Sequence, residues 1–245
     1  MFTREYANEL DTVQFCIDNK DLKYNFDLPH KGKVLGMSYK RYQDKIFFNV
    51  SSKVFATVST LGAITRENTV KIAEKIEQSF GIVINKDFLY ECVKLCRVDV
   101  KKDRFMTENP NFYISDLRRL FKRNSDRFDV YKYKNDIENI TLTYENGLAV
   151  VPKTKDNYRY SIYNKGKEVS MAQNKEFREK FDYALLNNLD FCLRSEVQLK
   201  KHVDIKSAFA IPSSKEQTFA TVLESGVDVV GEELGKLFKQ SEVIY

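Results

Sequence analysis

Segments in which polar and apolar residues alternate recur along the chain, and a strand of that kind must find a neighbour before its backbone groups are satisfied. That need constrains the fold more than any other feature. Between residues 36 and 55 the piece KIFFNVSSKVF, with Phe47, Phe48, Val50 and Val54, is the clearest, and the region reads as two paired strands. Residues 95–100 (LCRVDV) set Leu95, Arg97 and Asp99 to one side and Cys96, Val98 and Val100 to the other. Residues 129–133 and 140–144 are short and β-rich, and YRYSIY at 158–163 alternates again. The last strong signal is FCLRSEVQL at 191–199, where Cys192, Arg194, Glu196 and Gln198 share a face.

Helical spacing fills the intervals. Residues 66–80 follow the N-cap Thr65, carry Val70, Ala73, Ile76 and Phe80 on one face, and meet Gly81 as a stop. Residues 114–127 place Leu117, Leu120 and Phe121 among Arg118, Arg119, Lys122, Arg123 and Arg127, which predicts an amphipathic and basic helix. Residues 174–188 carry a stripe of Phe177, Phe181, Ala184 and Leu185, and the chain beyond Val203 holds helical pieces such as 231–239.

Hydrophobic residues at 42% and charged residues at 31% place the chain with soluble globular proteins. With nine Gly, four Pro, no linker and no repeat, one continuous domain over residues 1–245 is the simplest organisation. The formal charge of +5 is compatible with a polyanionic partner and equally with solvated lysines. Cys16, Cys92, Cys96 and Cys192 are scattered and read as small buried side chains in a reducing compartment, and His30 and His202 stand too far apart to complete a zinc set with Cys92 and Cys96. The first ten residues carry charges where a signal peptide needs an apolar core, and no run of eighteen apolar residues occurs, so a cytoplasmic protein is expected.

Three strands each bear a reactive group: Asp99 in CRVDV, Tyr163 before NKGKE, and Glu196 in LRSEV. A carboxylate within a strand needs pairing, hydrogen bonds or a metal. Arg97 with Asp99 and Arg194 with Glu196 are the local pairs on offer, although side chains two apart on a strand stand nearly parallel rather than end-on. If the two strands are neighbours, Asp99 and Glu196 are instead oxygen ligands for Mg²⁺ or Mn²⁺, which would polarise a phosphodiester. Tyr163 by itself reads as a half-buried packing residue; the Lys165 and Lys167 that follow, around a Gly166 turn, are able to favour a phenolate or hold phosphate.

In the order of these motifs the chain resembles the rolling-circle replication initiator endonucleases of the filamentous-phage gene II group and, more distantly, the staphylococcal-type plasmid initiators. The matching residues are Arg97-Val98-Asp99, then Tyr163 with Lys165 and Glu168, then Arg194-Ser195-Glu196-Val197, preceded by Phe48 to Phe55, so the likeness spans about residues 35–210. The resemblance implies an α+β fold with a mainly antiparallel central sheet and helices packed on it. It implies that Tyr163 attacks one DNA strand to leave a 5′-phosphotyrosine and a free 3′-OH, with Asp99 and Glu196 as metal ligands and Lys165 as a phosphate contact. The DNA would be an origin, single-stranded or supercoiled, in a bacterial host cell, with a host helicase and a homodimer as further partners and no membrane. Arg118, Arg119, Lys122 and Arg123 are the candidate DNA-binding residues. Two alternatives stand beside this reading: a non-catalytic DNA-binding module that uses the basic helix, and a mobilisation relaxase with the same nicking chemistry.

Overall fold

The computed structural model describes residues 8–25, 27–132, 146–154 and 157–242. Its strands are β1 (Glu9–Asp18), β2 (Lys31–Val34), β3 (Met37–Arg41), β4 (Lys45–Ser51), β5 (Leu95–Phe105), β6 (Phe128–Lys132), β7 (Gly147–Pro152), β8 (Tyr158–Asn164) and β9 (Cys192–Leu199). The helices are α1 (Arg66–Thr69), α2 (Lys71–Phe80), α3 (Lys86–Glu91), α4 (Asn111–Arg123), α5 (Lys165–Ser170), α6 (Lys175–Arg178), α7 (Tyr183–Leu189), α8 (His202–Ala208), α9 (Phe219–Leu223) and α10 (Val229–Glu242). The strands follow the order β2-β3-β4-β1-β5-β9-β8-β7-β6, with antiparallel registers for β2–β3, β3–β4, β4–β1, β9–β8, β8–β7 and β7–β6. This is the α+β, antiparallel architecture expected of the sequence.

Two compact units divide the chain: residues 1–56, 61–99 and 200–228 form the first, and residues 57–60, 100–199 and 229–245 the second. In the first, alternation orders the core from Val13 onward. Val13, Phe15 and Ile17 of β1 are buried with Met37 and Tyr39 of β3 and Ile46, Phe48 and Val50 of β4, while Phe47 points the other way and stays exposed. Phe80 of α2 meets Tyr39 edge-on at 4.9 Å and Phe219 of α9 meets Phe15 at 5.7 Å, so the helices close this apolar face. Each such aromatic ring contributes about 2–3 kcal/mol by leaving water.

The expected helix over 66–80 is two helices, α1 and α2, that meet at Val70. Val70 is exposed, and the buried stripe of α2 is Ile72, Ala73 and Ile76. Thr65 starts the pair as expected, its backbone N–H donating to Asn68 Oδ1 at 2.9 Å. Gly81 ends α2 at φ 67°, the left-handed conformation that glycine adopts at least cost.

In the second unit the basic helix runs over Asn111–Arg123, earlier than the expected 114–127, with Ile114 and Phe121 buried. Phe121 packs against Phe128 at 5.4 Å and Phe238 at 5.8 Å. The single helix expected over 174–188 is broken into α6 and α7, because Phe177 folds onto Phe181 at 4.7 Å and Asp182 then opens a new helix by accepting from Leu185 N–H at 2.7 Å. Strand β7 was not among the expected strands, because GLAVVP is a continuous apolar run without alternation, and the β-rich stretch at 140–144 lies outside the described residues. No helix among the described residues is long and apolar enough to cross a membrane.

Candidate active site

The second unit gathers a polar cluster on one face of three strands. Along β8 the period of two sends Tyr158, Tyr160 and Ile162 one way and Ser161 and Tyr163 the other. The unbroken β8–β9 register, with Ser161 opposite Glu196 and Tyr163 opposite Arg194, sets those four on the same side. Tyr158 and Tyr160 are thereby removed from the cluster. Tyr160 instead donates its hydroxyl to Glu233 Oε2 at 3.1 Å, and burial, reinforced by the Glu233 charge, raises its pKa far above the ordinary phenol value.

Tyr163 is buried, and its hydroxyl donates to Glu196 Oε1. Glu196 also lies 3.9 Å from Arg194 Nη1. Arg194 in turn forms a two-point fork on Asp103 of β5, Nε to Oδ1 and Nη2 to Oδ2, both 2.6 Å, and Lys101 Nζ approaches the same carboxylate at 3.3 Å. Burial pushes the Asp103 carboxyl upward, but Arg194, with Lys101 and Lys165, outweighs it and holds the group well below the usual carboxylate range. Cys192, buried beside them, is pushed up to about 12 by desolvation and then by the Asp103 charge, which leaves it an unreactive thiol.

Residues 164–168 do not form the expected lysine-rich turn. Asn164 caps α5 by accepting from Lys167 N–H at 3.2 Å, so the helix begins where β8 ends. Lys165 is thereby turned inward, 2.6 Å from Glu168 Oε2 and 5.8 Å from the centroid of the Tyr163 ring. Asn174 fastens Glu168 from the far side at 3.0 Å. Gly166 serves close approach rather than a turn: a Cβ there would sit 2.6 Å from the Asp190 backbone nitrogen.

The structure thus brings Tyr163, Lys165 and Glu196 together and adds Lys101, Asp103, Glu168, Asn174 and Arg194. Asp103 escaped the sequence reading because that reading ended the strand at Val100, whereas β5 continues to Phe105. The usable signal was the same period of two, Arg97, Asp99, Lys101 and Asp103, carried past the run of charges.

Asp99 belongs to the first unit. It is buried and accepts from Arg97 at both carboxylate oxygens, Nε at 2.8 Å and Nη2 at the other. The expectation that side chains two apart fail to meet is therefore corrected, since the long arginine stem folds its head back onto its neighbour. A hard divalent cation takes six or so oxygen ligands. Both Asp99 oxygens accept from Arg97, Glu196 Oε1 accepts from Tyr163, and among the described residues no group of three His, Cys, Asp or Glu is placed to hold an ion.

On α4, Arg119, Lys122 and Arg123 are exposed and Arg118 is half-buried. Arg119 pairs with Asp116 at 3.3 Å, and Phe112 and Tyr113 stand exposed at the start of the same helix. That helix presents cations to solvent, apart from the Tyr163 cluster in sequence.

No protein-family model matches the chain, and no curated protein matches it. A solved structure described as a rolling circle replication initiator protein from Geobacillus stearothermophilus is similar over 95% of this chain and 84% of that one, at 12% identity and a TM-score of 0.46.

Proposed function

We propose that the protein is a DNA strand-nicking enzyme that initiates rolling-circle replication with Tyr163 as its nucleophile. The observation that carries the reading is the hydrogen bond from the Tyr163 hydroxyl to the Glu196 carboxylate, with Arg194 and Lys165 beside them. A phenol is a weak nucleophile until its proton is removed, so attack needs a base. Glu196 takes the proton as the Tyr163 oxygen bonds to phosphorus. The bond from phosphorus to the 3′-oxygen breaks, and that oxygen takes a proton from water to become the 3′-OH. The 5′-phosphate stays on the tyrosine. Arg194 and Lys165 supply the positive charge that a pentavalent phosphorus centre requires.

The test is incubation of supercoiled DNA from the element that encodes the protein. Open circles with covalently attached protein are expected, and peptide mass spectrometry should place the 5′-phosphate on Tyr163. Tyr163→Phe should bind DNA and form no adduct. Running the assay with and without Mg²⁺ or Mn²⁺ separates metal dependence from the tyrosine chemistry.

One observation favours a second reading. Tyr163 is buried, and Lys101, Lys165 and Arg194 are matched by Asp103, Glu168 and Glu196. A satisfied network of that kind also serves to specify a unique core packing. In that case the chain is a non-catalytic DNA-binding module, no adduct forms under any condition, and Tyr163→Phe changes stability alone.

A further inference from the structure

The sheet of the first unit has a second face that the nicking reading leaves without a role. Its cross-strand registers define two rows. Lys31 of β2 stands opposite Lys40 of β3, Lys40 opposite Phe47 of β4, and Phe47 opposite Cys16 of β1. One step along, Lys33, Ser38, Asn49 and Gln14 form the next row, closed by a 3.1 Å hydrogen bond from Gln14 to Asn49. Directly opposed residues share a face, so cations, amides and an aromatic ring are displayed together.

Phe47 is 43% exposed and Tyr42, just beyond β3, is 46% exposed. Their rings meet edge to face at 5.2 Å, and Lys40 Nζ lies 5.0 Å over the Tyr42 ring. The nearby carboxylate of Asp18 pairs with Lys45 at 3.6 Å. Lysines on an edge strand also deter unwanted strand addition, which accounts for Lys31 and Lys33 on β2. It does not account for Phe47, which sits on an interior strand, nor for the exposed Tyr42 beneath Lys40.

We propose that this face binds a single strand of nucleic acid, with Phe47 and Tyr42 as stacking surfaces for bases and Lys31, Lys33 and Lys40 as phosphate contacts. Aromatic rings interleaved with cations suit an unpaired strand because its base faces are accessible, whereas those of a duplex are stacked away. The surface lies wholly in the first unit and does not depend on Tyr163.

The test is fluorescence anisotropy of the full chain with a labelled thymidine oligonucleotide of about twenty nucleotides and a duplex of the same length, across a salt series. The single strand should bind more tightly. Phe47→Ala, or Tyr42→Ala as the second variant, should weaken single-strand binding about tenfold with the salt slope unchanged. Replacing Lys31, Lys33 and Lys40 by Gln should flatten the slope of log affinity against log salt by about 2. Covalent adduct is scored separately on the same samples, so failure of the nicking chemistry leaves this result untouched. Preference for the duplex, or unchanged single-strand binding in both the aromatic and the lysine variants, overturns the assignment.

Discussion

Replacing Asp103 by Asn removes one negative charge from a fork that Arg194 closes with two 2.6 Å bonds and that Lys101 joins at 3.3 Å. Asn has almost the same shape, so packing survives while the buried guanidinium loses its counter-charge. Breaking a buried pair by removing one partner costs about 3–5 kcal/mol. The Arg194 side chain is 2% exposed and that of Asp103 15%, and Glu196 stands 3.9 Å from the guanidinium as partial compensation, which argues for the lower end, about 3 kcal/mol. With a urea dependence of roughly 2–3 kcal/mol per molar, the midpoint seen by circular dichroism should fall by about 1 M at pH 7. The folded pKa of Asp103 is depressed, so its contribution is complete above the unfolded value of about 3.9 and is lost as pH falls below that toward the folded value. The variant should therefore lack a component of the parent's acid sensitivity below about pH 4. Pairing Asp103→Asn with Arg194→Met, which removes the stranded charge, should restore roughly half of the loss or more. A single variant with the parent's midpoint at pH 7 would refute the assignment of Asp103 as the counter-charge of Arg194.

Gly166→Ala should destabilise the second unit by about 1–3 kcal/mol, because the new methyl meets the Asp190 backbone at 2.6 Å and backbone yields poorly; an unchanged thermal midpoint would contradict this. Neutralising Arg118, Arg119, Lys122 and Arg123 should flatten the salt dependence of duplex binding by up to about 3 to 4 in slope, and an unaltered slope would place the duplex elsewhere. Asp99→Asn leaves Arg97 without its carboxylate, so a loss of about 1–3 kcal/mol in urea is expected in the absence of any metal, whereas a loss confined to Mg²⁺- or Mn²⁺-dependent nicking would make Asp99 a metal ligand instead. Glu196→Gln should abolish adduct formation by removing the base, with DNA binding retained in a filter assay; normal adduct yield would exclude Glu196 from proton transfer.

Much of the fold was legible because period is a local property of a chain. The alternation around Phe47 and Phe48, in YRYSIY and in LRSEV requires each of those segments to be a strand with two unlike faces, and all three are. Where helices begin and end was legible only where neighbours in sequence decide it, as Asn68 does in holding the Thr65 N–H and Gly81 does in taking a left-handed conformation; the break at Phe181 and Asp182 depends on a ring finding another ring. The same division runs through the site. Sequence alone determined that Tyr163 and Glu196 lie on strands with polar faces, since parity along a strand decides which way each residue points. The hydrogen bond between them, the Arg194 fork on Asp103 and the inward turn of Lys165 were decided by the tertiary structure. A bond between Asp103 and Arg194 joins residues 91 apart in sequence, and no pattern within either segment encodes which strand becomes the neighbour of which, or in what register.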